Sequence, residues 1–137
     1  MRRAPRFDFQ VAMKARYFTV DEANALLPVI EPLVGELLER RARVVVSRQT
    51  LGAVLDDYHS DVGGQSATEM AAEFGRIEKL VERIQSYGCV LKDTNSGLVD
   101  FLAEMNGREV FLCWRYGEPR VAFYHELHSG FNGRQPV

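Results

Sequence analysis

The chain has 137 residues, of which 46% are hydrophobic and 26% charged, and its formal net charge is −2. That is the size and make-up of one globular domain, able to bury roughly two-thirds of its unfolded surface without a metal or disulfide to hold a core. The slight acidic balance argues against a dedicated nucleic-acid binder. No apolar run approaches the ~20 residues of a membrane span.

Residues 1–16 read as a flexible N-terminal arm. Met1-Arg2-Arg3-Ala4-Pro5-Arg6 is basic, but Phe7-Asp8-Phe9-Gln10-Val11 alternates where a secretory signal would carry an apolar run. The expected location is therefore the cytoplasm. The two cysteines, Cys89 and Cys113, form no CxxC pair and read as buried thiols in a reducing compartment.

A single α+β domain over residues 17–137 follows. Thr19-Val20-Asp21-Glu22 is a capping box that opens a helix, with Phe18 placed to staple onto Ala23 or Leu26. Pro28 and Pro32 permit two readings. Either a short helix over 20–27 breaks and a second runs over 29–59, or one kinked helix continues. The break at Pro28 is favoured, because proline suits the first turn of a new helix. Ile30, Leu33, Leu37, Val44, Leu51, Leu55 and Tyr58 then recur at helical spacing. Asp56 to Gln65, ending in Gly63-Gly64, reads as a loop. Ser66-Ala67-Thr68-Glu69 is a second capping box, and Met70, Phe74, Ile77, Val81 and Ile84 form a heptad-like seam that stops at Gly88. The prediction is a long antiparallel hairpin, 29–59 against 67–87.

Beyond Gly88 the period changes to two, and strands are expected over 89–93, 98–105, 108–116 and 120–126. They should form a four-stranded antiparallel β-meander packed on the hairpin. Asn106-Gly107 implies a two-residue type I′ turn. That turn pairs Met105 with Arg108, Ala103 with Val110, Phe101 with Leu112 and Val99 with Trp114 on an apolar face turned to the helices. The other face pairs Leu102 with Phe111, Asp100 with Cys113 and Leu98 with Arg115. Counting on through Gly117-Glu118-Pro119 sets Val121 beside Trp114, Phe123 beside Leu112 and His125 beside Val110. It also sets Ala122 beside Cys113 and Tyr124 beside Phe111. The second face is then half apolar, and a second copy of the chain is the expected cover, so a homodimer is expected.

Phe18 through Pro28 (FTVDEANALLP), Lys92-Asp93 followed by Gly97-Leu98-Val99-Asp100-Phe101, Leu112-Cys113-Trp114 followed by Gly117-Glu118, and His125 through Pro136 with Gly130-Phe131 and Gly133-Arg134-Gln135-Pro136 resemble the bacterial family catalogued as domain of unknown function 2203. The resemblance covers about residues 17–136. It implies the domain definition and a bacterial source. The family carries no assigned activity, so no mechanism transfers.

Polar residues crowd the C-terminal half. Asp100, Arg115 and Arg120 are expected on one face, and His125 on the other at the rim of the core. His125, His128, Glu118 and Glu126 offer the ligand types of a divalent metal, although an odd spacing separates the two histidines in any continuous strand. Asp57, His59 and Asp61 form a second cluster without calcium-loop spacing. Arg115, Arg120 and Arg134, with Asp100 and Trp114 nearby, could hold a small anionic ligand or nucleotide. Tyr116, Tyr124 and Phe131 could add stacking to such a site. The structural alternative pairs Asp100 with Arg115 and anchors Arg134 on a carboxylate. Glu118 and His125 are the candidates for acid–base catalysis, but no motif supports them. Two functions stay open: a non-enzymatic oligomeric interaction or regulatory domain, which is preferred, or a small metal-dependent or anion-binding enzyme.

Overall fold

The computed structural model describes residues 16–56 and 60–137, with the backbone alone at 47, 49–56 and 60–66. Two helices, α1 (Val20–Asp56) and α2 (Ser60–Gln85), precede five strands: β1 (Val90–Asp93), β2 (Leu98–Met105), β3 (Arg108–Arg115), β4 (Phe123–Glu126) and β5 (Gln135–Pro136). The strands form one antiparallel sheet in sequence order. The fold class is thus α+β as expected, with a fifth strand added by the segment after β4. No helix among the described residues is long and apolar enough to cross a membrane.

The capping box at Thr19 is formed: Glu22 N–H donates to Thr19 Oγ1 and Thr19 N–H to Glu22 Oε1, each at 3.0 Å. Phe18, just before it, is buried edge-on against Phe101. From there α1 runs without interruption through Pro28 and Pro32, against the expected break at Pro28. Each proline frees one carbonyl four residues back. Both are exposed and lie four residues apart, so the loss falls where water can replace the missing N–H. Meanwhile Ala23, Leu27, Ile30, Val34 and Leu37 hold one buried stripe across both positions, and this packing outweighs the local preference.

The second helix also departs from expectation. It begins at Ser60 and takes Gly63-Gly64 into its body, so Ser66 lies inside it rather than at its cap. Two glycines cost about 2 kcal/mol relative to alanine, which pairing along a long hairpin can offset. α2 ends where Gly88, at φ 102°, turns the chain. Among its described side chains Leu80 and Ile84 are buried, with Ile77 and Val81 half-buried beside them, whereas Phe74 is exposed.

Asn106 and Gly107 both have positive φ (53° and 81°), as a type I′ turn requires. Every pair expected between β2 and β3 is present, from Met105 with Arg108 to Leu98 with Arg115. Val99, Phe101, Ala103, Val110, Leu112 and Trp114 form the inner face and are buried against the helices. At the next strand the expected register is wrong by one residue. Cys113 pairs with Phe123, Leu112 with Tyr124, Phe111 with His125 and Val110 with Glu126.

The cause lies 97 residues away. Asn24 of α1 accepts from the Val121 N–H through Oδ1 (2.7 Å) and donates to the Val121 carbonyl through Nδ2 (3.2 Å). The amide thus takes the place of a pairing strand and draws Val121 off the β3 edge. The Trp114 indole N–H meanwhile holds the Glu118 carbonyl at 3.0 Å. The connection becomes seven residues long, 116–122, and every later side chain changes face. Tyr124 packs against the core, and Phe123 and His125 turn outward.

Candidate functional site

The one-residue shift brings His125 onto the same face as Asp100 and Cys113. His125 Nε2 lies 3.0 Å from Asp100 Oδ2, and one ligand atom from each of Asp100, Cys113 and His125 falls within 4.8 Å of the other two. Although this face points away from the helices, the three are almost wholly buried, at 1%, 0% and 3% exposure. Each comes from a different strand, β2, β3 and β4, so the sheet itself sets their spacing.

The proton inventory of the site is constrained. His125 Nδ1 is 2.7 Å from the Glu126 carbonyl oxygen. A carbonyl only accepts, so Nδ1 carries a proton and points it there. Nε2 then faces the Asp100 carboxyl group, and the two lone pairs repel unless a cation stands between them. At 3.0 Å the separation is that of a hydrogen bond, so the two groups share a proton. Burial pushes the Asp100 carboxyl above its usual range, opposed by the nearby His125. Burial also pushes the Cys113 thiol up to about 12. Asp100 Oδ1 is buried with no hydrogen-bond partner, which ordinarily costs a carboxylate more than 1 kcal/mol.

A second polar group lies beside the cluster. Arg134, just before β5, donates to Glu118 Oε1 at 2.7 Å and to the Cys113 carbonyl at 3.3 Å. Its guanidinium carbon sits 4.2 Å from the centre of the Phe123 ring and 4.5 Å from that of Phe131. Glu118 Oε1 also accepts from the Arg115 N–H at 2.8 Å. Burial alone would raise the Glu118 carboxyl. The hydrogen bonds from Arg134 and Arg115 outweigh it and hold the group below its ordinary 4.5. At the other flank Lys92 stands 5.1 Å from the Phe111 ring centre, where β1 bulges.

The other residues singled out in the sequence scatter. Glu126 accepts two bonds from Arg108 (2.9 and 2.6 Å) and points away from its neighbour His125. His128 and Arg120 are exposed. The set His125, His128, Glu118 and Glu126 therefore does not converge. Trp114 is buried in the core and presents no ring for stacking. Arg115 is exposed, 5.8 Å from the Phe131 ring centre, and the partner of Asp100 is His125 rather than Arg115. Of the cluster Asp57, His59 and Asp61, no side chain lies within the described residues. The sequence marks Cys113 as a buried free thiol, and it is one. Its pairing with Asp100 was legible there, but its meeting with His125 was not.

No curated protein and no solved structure matched this chain. A family model did match, over residues 16–137. The segments on which the sequence resemblance rests include Asp100, Cys113, Glu118, His125 and Arg134, which the fold gathers in one place. The chain belongs to the family described as Uncharacterized conserved protein (DUF2203), to which no activity is assigned.

Proposed function

We propose that this is a metal-binding regulatory domain that holds one divalent ion of the zinc class through Asp100, Cys113 and His125. The observation that carries this reading is the convergence of these three ligand types from three strands, with Asp100 Oδ1 unpartnered. Thiolate, imidazole and carboxylate are the ligands that zinc takes, and its bond lengths set ligand atoms about 3.3–3.6 Å apart in a tetrahedron. Here His125 Nε2 and Asp100 Oδ2 are 3.0 Å apart and all three ligand atoms lie within 4.8 Å of one another, so small side-chain shifts bring them to that spacing. Charge also balances: a dication with one thiolate, one carboxylate and a neutral imidazole is uncharged, as burial demands. The Nδ1–H bond to a backbone carbonyl is the outer contact that ordinarily orients a ligating histidine. Burial of all three ligands favours a structural or regulatory role over catalysis. Both cysteines are free and buried, which fits a reducing compartment such as a bacterial cytoplasm.

The test is metal analysis of tag-free protein followed by Co2+ titration. One equivalent should bind with a thiolate-to-cobalt charge-transfer band, lost in both Cys113→Ser and His125→Ala. Absence of the band, or its survival in both variants, rules the site out.

A second reading is a homodimer through the outer face. Leu98, Leu102 and Phe111 are half-buried there, beside the area that residues 130–137 cover. Light scattering at low micromolar concentration would return a dimer mass, and a monomer mass would remove this reading.

A further inference from the structure

We propose that the segment Gly130–Val137 is a lid over the Asp100–Cys113–His125 site, latched by Arg134, and that its opening controls passage of the ion. This rests on the metal-binding reading for its purpose, although not for its geometry.

The outer face of a sheet that packs helices on its other side is ordinarily open to water. Here Cys113 is fully buried on that face. Its cover includes Arg134, which bonds the Cys113 carbonyl and lies on Phe123, the cross-strand partner of Cys113. Phe131 lies on the guanidinium in turn. An ion could enter from this side only after these groups move.

Little else secures the segment. β5 pairs with β4 over two residues, Gln135 and Pro136. Beyond that pairing, the Val137 N–H reaches the Ala122 carbonyl at 3.0 Å and the Tyr124 hydroxyl reaches Gln135 at 3.2 Å. The chain enters the segment through Gly130 at φ 70°, a conformation that leaves a natural pivot. The strongest tie is the Arg134–Glu118 pair, whose side chains are 11% and 25% exposed. Such a two-residue strand, held by one charged latch, belongs to the low-stability end of local opening equilibria. The arrangement joins a lid, a hinge and a latch in eight residues. The latch anchors on the β3–β4 connection, so lid and site share Cys113 and Phe123.

The test uses the full chain without metal, pulse-alkylated with N-ethylmaleimide and mapped by peptide mass. Cys89 is an internal control, because it is buried in the core with its thiol on the Ile84 carbonyl. Arg134→Ala should speed Cys113 labelling by roughly ten- to a hundred-fold, the range for loss of a hydrogen bond between charged groups, and leave Cys89 unchanged. Glu118→Gln, which keeps the size of the acceptor, should act in the same direction and serves if Arg134→Ala does not fold. Unchanged Cys113 labelling, or an equal rise at both cysteines, overturns the lid. Release of Co2+ to a chelator should quicken in parallel. Selective Cys113 exposure without any Co2+ binding keeps the lid and removes the metal reading. Co2+ binding with unaltered labelling does the reverse.

Discussion

Removing His125 should leave Asp100 buried with only the Cys113 thiol and the more distant Lys92 to offset its charge. With His125→Leu, Oδ2 loses its histidine partner, and Oδ1 has none already. The cheapest escape is to protonate Asp100. At pH 7, starting from an ordinary value of 3.8, that costs about 4 kcal/mol, at about 1.4 kcal/mol per unit. This sets a ceiling on the electrostatic loss and agrees with the 3–5 kcal/mol typical of breaking a buried pair. The sign with pH follows. A raised folded-state value means that the folded form binds the extra proton, so the penalty fades as pH falls. The loss should therefore be smaller at pH 5 than at pH 7. Asp100→Leu combined with His125→Leu should recover most of the stability, because two apolar groups of similar volume need no partner. Urea denaturation with chelator present reads all three quantities. A loss near 4 kcal/mol lowers the midpoint by about 2 M at a slope of about 2 kcal/mol per M. A loss under about 1 kcal/mol at pH 7, no change between pH 7 and 5, or a double variant no better than His125→Leu would refute the reasoning.

Three further outcomes follow from the same structure. Asn24→Ala should cost about 1–3 kcal/mol in urea denaturation, because it strips both backbone partners from buried Val121. Binding of Zn2+ near pH 7 should release about two protons, one from the Cys113 thiol and one from between Asp100 and His125, counted by calorimetry in buffers of different ionisation enthalpy; a count of zero would exclude the thiolate. The stability that wild type holds over Glu118→Gln should be complete above pH 4.5 and vanish as pH falls through the lowered Glu118 value, followed by thermal melts from pH 6 to 3. A difference that persists at pH 3 would show that the charge of Glu118 is not what holds Arg134.

Much of this architecture is written locally. The Thr19–Glu22 capping box places the start of α1, since both of its bonds lie within four residues. Asn106-Gly107 sets the register of β2 on β3, because only residues tolerant of positive φ make that turn. The pairing of Asp100 with Cys113 follows by counting. Three matters were decided elsewhere. The prolines in α1 stand inside a helix because a buried stripe continues past them. The glycines at 63 and 64 continue α2 rather than ending a loop. Above all, the face of His125 depends on whether Val121 pairs with β3 or with Asn24, and nothing within the turn distinguishes the two. Strand side chains alternate with a period of two, so one residue drawn away by a distant amide is enough to carry His125 from the core face to Asp100. Sequence thus determined which residues form strands and how the tight hairpin pairs. Tertiary structure decided which of them meet, because a side-chain hydrogen bond across 97 residues sets the parity of everything after it.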